Sequence, residues 1–271
     1  MRFKYFLTVL LVFIPFNLLA NQFAVPITPA QEELVYSSRV LQQAATQDIS
    51  TTSLSQRALR GEMPVKIEIN IERKVTDGAR TILFTRNEQL TNGNRSQWQF
   101  ILDAHDHLAI RSFNKKITVP DGAVAREEYV NFRASGLLYP ENMMQIYVLE
   151  FALRGIDFNE GYADSFPVYL TSVNIINMDI KVTGKENVEV PAGKFLCWRV
   201  EMKPRLEDWV GRVAANILRT FTPTYIFWFC IDEGHPLVKY QGTLGAIGAP
   251  VQVQELVSIR SVGMGVMEPG P

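Results

Sequence analysis

The sequence predicts a mainly β chain of the α+β class. The expected form is an antiparallel curved sheet or half-barrel wrapped around an apolar helix, with an extra amphipathic helix and an N-terminal helix. Three observations carry this. Apolar and polar residues alternate with a period of two in many short runs, turn clusters separate those runs, and one stretch is apolar nearly all round. Such a stretch has to be enclosed, and in a β-rich chain the natural enclosure is a sheet curled around it.

The N-terminus, MRFKYFLTVLLVFIPFNLLANQ, sets Arg2 and Lys4 before an apolar run from Phe6 to Leu19, with a small residue, Ala20, at the expected cut. This is the pattern of a secretory signal peptide over 1–20, so the chain is expected to be periplasmic or secreted after cleavage near Ala20. Cleavage leaves 25 Lys and Arg against 28 Asp and Glu, a formal charge of −3. No basic field is left to neutralise phosphates, which argues against nucleic acid as a partner.

Residues 28–46 open with Thr28 as N-cap, Pro29 at the first helical position and Gln31 placed to close a capping box. Leu34, Val35, Val40, Leu41, Ala44 and Ala45 then follow a helical period, which predicts the N-terminal helix. With a Ser/Thr/Gln-rich linker it occupies 21–60, ahead of a β-rich half-barrel over 61–262 and a disordered tail over 263–271.

In PVKIEINIERKV, Val65, Ile67, Ile69 and Ile71 alternate with Lys66, Glu68, Asn70 and Glu72, the mark of a strand buried on one face. RTILFTRNEQL, RSQWQFILD, HLAIRSF and REEYVNFR continue it as a meander, joined at turns such as Thr91-Asn92-Gly93-Asn94 and Pro120-Asp121-Gly122. PENMMQIYVLEFALRG is the apolar helix, in which Gln145, Glu150 and Arg154 are the polar positions before Gly155. Strands resume at FPVYLTSV, INMDIKVTGKENVEV, FLCWRVEM, PTYIFWFCID, PLVKYQG and PVQVQELVSI. RLEDWVGRVAANILRTF lies among them as an amphipathic helix carrying Leu206, Trp209, Val210, Val213, Ile217, Leu218 and Phe221.

Few residues offer chemistry. Asp103, His105 and His107 of DAHDH are a weak metal set, read more simply as a hairpin turn. His235 of IDEGHPL has Asp232 and Glu233 nearby as orienting carboxylates, but Gly234 and Pro236 favour a tight turn and no nucleophile is close. GTLGAIGAP lacks the Lys-Ser/Thr of a phosphate loop, and no catalytic elbow, zinc-protease helix or Cys-x-x-Cys occurs. No cofactor is expected. Cys197 and Cys230 both lie in expected strands; a disulfide and two buried thiols are equally open.

VEVPAGKFLCWRVEM is most simply two strands joined by a Pro-Ala-Gly turn. With FWFCIDEGHPLVKYQG it resembles the two blocks of a family of uncharacterised bacterial exported proteins of unknown function, over residues 135–258. The resemblance implies a β-rich fold and no established activity. The architecture is also similar to that of periplasmic lipoprotein carriers, an analogy of fold alone.

The leading expectation is therefore a non-catalytic cell-envelope protein that takes an apolar or lipid-like ligand in the hollow of the sheet. Trp198, Phe227, Phe229 and Trp209 would be the binding residues. The alternative is a solid-cored structural or interaction module whose envelope partner docks on the N-terminal helix or a sheet edge. The third reading is an enzyme using His235 or the Asp103–His107 loop.

Overall fold

The computed structural model describes residues 24–40, 63–76, 78–105, 108–132, 144–171, 174–208, 224–243 and 251–262. The expected signal peptide, the linker, most of the amphipathic helix with Trp209, His107 and the tail lie outside these residues.

Period-two patterning yields strands almost wherever it occurs. They are β1 (Gln31–Val40), β2 (Pro64–Thr76), β3 (Ala79–Leu90), β4 (Arg95–Asp103), β5 (Ile110–Thr118), β6 (Val124–Asn131), β7 (Met144–Gln145), β8 (Ala163–Thr171), β9 (Asn174–Val190), β10 (Gly193–Pro204), β11 (Tyr225–Cys230), β12 (Leu237–Thr243) and β13 (Val251–Val262). All belong to one sheet, ordered from β6 back to β1, then β13 back to β7. Every pairing is antiparallel except the short β7–β8 contact. Among the described residues β6 and β7 are the two edges, so the curved sheet is not closed by hydrogen bonds.

The expected turns are present. Asn92 and Asp121 side chains accept from the amides of Asn94 and Ala123, and Gly93 and Gly122 take the positive φ that each turn needs. Pro191-Ala192 joins β9 to β10, with Gly193 at φ 134°. This hairpin reaches past β11 and β12 to β13, where the Ala192 N–H donates to the Leu256 carbonyl beside a register shift in the β1–β13 pairing.

Two expectations are corrected. Residues 31–40 are not helical: β1 lies between β2 and β13 in the sheet. Its inward residues are Glu32, Leu34 and Tyr36. The period of two was hidden because one member of the buried set is a carboxylate whose partner, Arg154, is far away in sequence. The apolar stretch, in turn, is no continuous helix. It runs as a 3-10 turn (Ile146–Val148), one α-helical turn, α1 (Leu149–Ala152), and a second 3-10 turn (Leu153–Gly155). Val148, Leu149, Phe151, Ala152 and Leu153 of this stretch are buried in the core. Val65 is also displaced; a register shift near Pro64 turns it outward, while Ile67, Ile69 and Ile71 point in.

Candidate functional site

The interior of the curved sheet is the place where a ligand was expected, and the sequence fills it from within. Val148, Leu149, Phe151 and Leu153 supply apolar bulk, and Phe151 packs against Phe84 of β3 at 6.0 Å between ring centres. Tyr147 stacks on Trp98 of β4 at 4.2 Å. Across the interior, Phe227 packs on Tyr240 at 5.0 Å and Phe229 on Phe158 at 5.6 Å.

The three polar positions of the plug each find a partner. The Gln145 side chain accepts from the Tyr147 amide. Arg86 Nη1 donates to Glu150 Oε1 at 2.6 Å and its Nε to Glu88 Oε1 at 2.8 Å. Glu88 accepts further from Ser96 Oγ, which itself accepts from Trp98 Nε1. Arg154 makes a fork on Glu32, at 2.6 and 3.2 Å, and its Nε donates to the Gly234 carbonyl. Both Arg154 and Glu32 side chains are 2 % exposed.

Burial raises the Glu150 carboxyl above the ordinary carboxylate value, more than Arg86 beside it lowers it. For Arg86, burial works against the charge, but Glu150 and Glu88 outweigh it and the guanidinium stays protonated. A gap between plug and sheet, lined among others by Arg86, Tyr147, Glu150, Phe227, Tyr240 and Gln254, measures about 20 Å³. That is room for about one water, against roughly 300–1,000 Å³ for a small-molecule pocket. Arg86 Nη2 and the Gln254 amide, on the residues around this gap, have no partner among the described residues.

The sequence-predicted aromatic residues are brought together in part. Trp198 pairs across the strands with Phe229, so the two share a face, and Cys197 pairs with Cys230 on the other. Trp198 is half-buried, with Lys185 Nζ 4.2 Å above its ring and Phe158 stacked at 6.3 Å. Phe227 and Phe229 are fully packed.

Asp103 accepts from Arg111 Nε and Nη2 and from the His105 amide, so its carboxylate is engaged in fixing a turn. His235 sits at φ 44°, its Nδ1 bonded to the Cys230 carbonyl and its ring 4.4 Å from Phe158. Asp232, one of the two carboxylates expected to orient it, instead accepts from Cys230 Sγ at 3.2 Å.

A second concavity, of about 510 Å³, crosses β2 to β5 and is polar. Glu68, Asn87, Gln97 and Lys116 form a registered row along it, with Gln97 Nε2 donating to Asn87 Oδ1. Sequence reading passed over this row because each member is an ordinary outward residue of its own strand. Only the strand register assembles them.

Residues 139–245 match the family described as Protein of unknown function (DUF3108). The stretch similar to DUF3108 holds α1 together with the Pro-Ala-Gly hairpin and the block around His235; the last two carried the resemblance in the sequence. No curated protein matches the chain. Among solved structures, the chain is similar to a β-barrel-like protein of DUF1849 from Brucella abortus. The two share 11% identity over 86% of this chain and 98% of that one, with a TM-score of 0.46. It is also similar to the hypothetical lipoprotein YmcC of Escherichia coli, at 9% identity over 88% of this chain and 90% of that one, with a TM-score of 0.31.

Proposed function

We propose that this chain is an exported, non-catalytic module of the cell envelope that works through its surface around a solid core. The observation that carries the reading is the packing of the interior among the described residues: helical plug, aromatic residues and two buried ion networks occupy the hollow where a lipid would lie, and the gap beside Arg86 and Glu150 is about 20 Å³. The signal-peptide pattern of residues 1–20 supports export. A docking role for an N-terminal helix falls away, because that segment is a strand inside the sheet. The face that this reading nominates is the polar row Glu68–Asn87–Gln97–Lys116, whose mixed charges and amides suit a polar partner surface. It is tested by native mass spectrometry with lipid extraction on protein purified from its own periplasm. The expected result is a mass beginning near Asn21 with no bound lipid. A lipid at one copy per chain would overturn the solid-core reading and restore the apolar-ligand one, with Trp198, Phe227, Phe229 and Trp209 as its residues.

A further inference from the structure

Cys197 and Cys230 are direct cross-strand partners on β10 and β11. Which kind of partner follows from the neighbouring hydrogen bonds. The Ile231 amide donates to the Leu196 carbonyl, so that adjacent pair is a hydrogen-bonded one. The Cys230 amide turns the other way and donates to the Pro236 carbonyl on the β12 side. Cys197 and Cys230 therefore form a non-hydrogen-bonded pair, the kind in which facing Cα atoms stand about 4.5 Å apart and side chains are closest. A disulfide spans Cα separations of about 4.4–6.8 Å. Strand alternation puts the two side chains on one face, opposite Trp198 and Phe229. Both are buried, at 0% and 3% exposure, and both are free thiols in the structure.

We propose that Cys197 and Cys230 are joined by a cross-strand disulfide in the exported protein, formed by a disulfide-carrying oxidant of the envelope. Cys230 is the entry point, because it ends β11 beside the exposed residues Ile231, Asp232 and Glu233, whereas Cys197 lies inside β10. Its thiolate attacks one sulfur of the oxidant's disulfide, giving a mixed disulfide and releasing one thiolate. The Cys197 thiolate then attacks the Cys230 sulfur, closing the new S–S bond and releasing the second thiolate. Two protons leave the cysteines, and their two electrons leave with the reduced dithiol. Burial raises both thiols, Cys197 to about 12, which disfavours the attacking thiolate once the fold is complete. Closure therefore belongs to folding, once β10 and β11 are in register and before the two side chains are buried. The bond fastens the β9–β10 hairpin to β11, next to the turn that Arg154 grips through Gly234.

The experiment uses the full chain exported to the periplasm, alkylated in denaturant and digested without reductant. The expected result is a linked Cys197–Cys230 peptide in most molecules and fewer than one thiol per ten chains. Two alkylated cysteines in the exported protein, and again after refolding with oxidised glutathione, would overturn the proposal. Thermal melts give an independent reading. Reduction of the wild type should lower Tm by roughly 5–15 °C. C197S, C230S and the double variant should each match that reduced Tm, because all four lack the same bond. Equal Tm for reduced and oxidised wild type, or two single losses that add in the double variant, would show two packed thiols instead.

Discussion

Removing Glu32 by substitution to Ala tests the account of the interior most directly. Its carboxylate and the Arg154 guanidinium are each 2% exposed and meet in a fork at 2.6 and 3.2 Å. Glu32→Ala leaves a desolvated guanidinium whose one remaining acceptor among the described residues is the Gly234 carbonyl. Breaking a buried pair in this way costs about 3–5 kcal/mol. For a chain of this size that is a Tm loss of roughly 6–20 °C. Arg154→Met should cost at least as much, since it strands both Glu32 and the Gly234 carbonyl. The double variant Glu32→Leu with Arg154→Met removes both charges, and should recover most of the loss because well-packed apolar groups can replace a buried ion pair. Urea unfolding of the wild type, both single variants and the double variant supplies the coupling energy, expected at about 3 kcal/mol or more. A single variant losing less than about 1 kcal/mol, or losses that add in the double, would refute the view that β1 is fixed to the plug by this pair.

The other predictions concern the same plug. Phe151→Ala should cost about 3–5 kcal/mol in urea unfolding, because the ring is buried against Phe84 and little can collapse into its place. Gly155→Ala should be destabilising by about 1–3 kcal/mol, since a Cβ there would run into the Ala24 carbonyl; a neutral effect would show that residues 24–30 yield easily. The raised Glu150 carboxyl binds its proton more tightly folded than unfolded, so its contribution is fully present below the ordinary value of 4.5. It is lost as pH rises through the raised folded value. Wild-type stability measured between pH 5 and 8 should therefore fall more than that of Glu150→Gln, and parallel curves would contradict the direction.

The strands of the two meanders were legible because each buries one face of apolar residues against the plug, and a period of two survives in the sequence. What escaped were the places where the buried face holds a charge. β3 presents Ile82, Phe84, Arg86 and Glu88 inward, so half of its interior set looks like surface. In β1 the same substitution of Glu32 for an apolar residue let Leu34, Val35 and Val40 pass for a helical stripe. The polar residues of the plug were visible as Glu150 and Arg154, but their partners stand 64 and 122 positions away, a distance no local pattern spans. The plug broke into 3-10 and α turns where a continuous helix was expected. Gln145 fixes the first turn by accepting from the Tyr147 amide, and each later stretch is short enough for sheet contacts to outweigh helix propensity. Alternation separates Trp198 from Cys197 along β10; that Trp198 and Phe229 meet Phe158, and Phe227 meets Tyr240, followed only from the fold.

The order of strands in the sheet has a consequence for how the molecule is put together. Read from β7 through β13 and on through β1 to β6, the sheet is an unbroken succession of neighbours, and the first and last described strands meet in its middle, at the β1–β13 ladder. Among the described strands that ladder joins those furthest apart in sequence and must wait for both halves, so it is the slow, high-contact-order step. A circular permutant with Val262 linked to Ala24 and new ends between Phe132 and Met144 would make every antiparallel pairing local. It should refold faster than the natural order while unfolding at a similar rate.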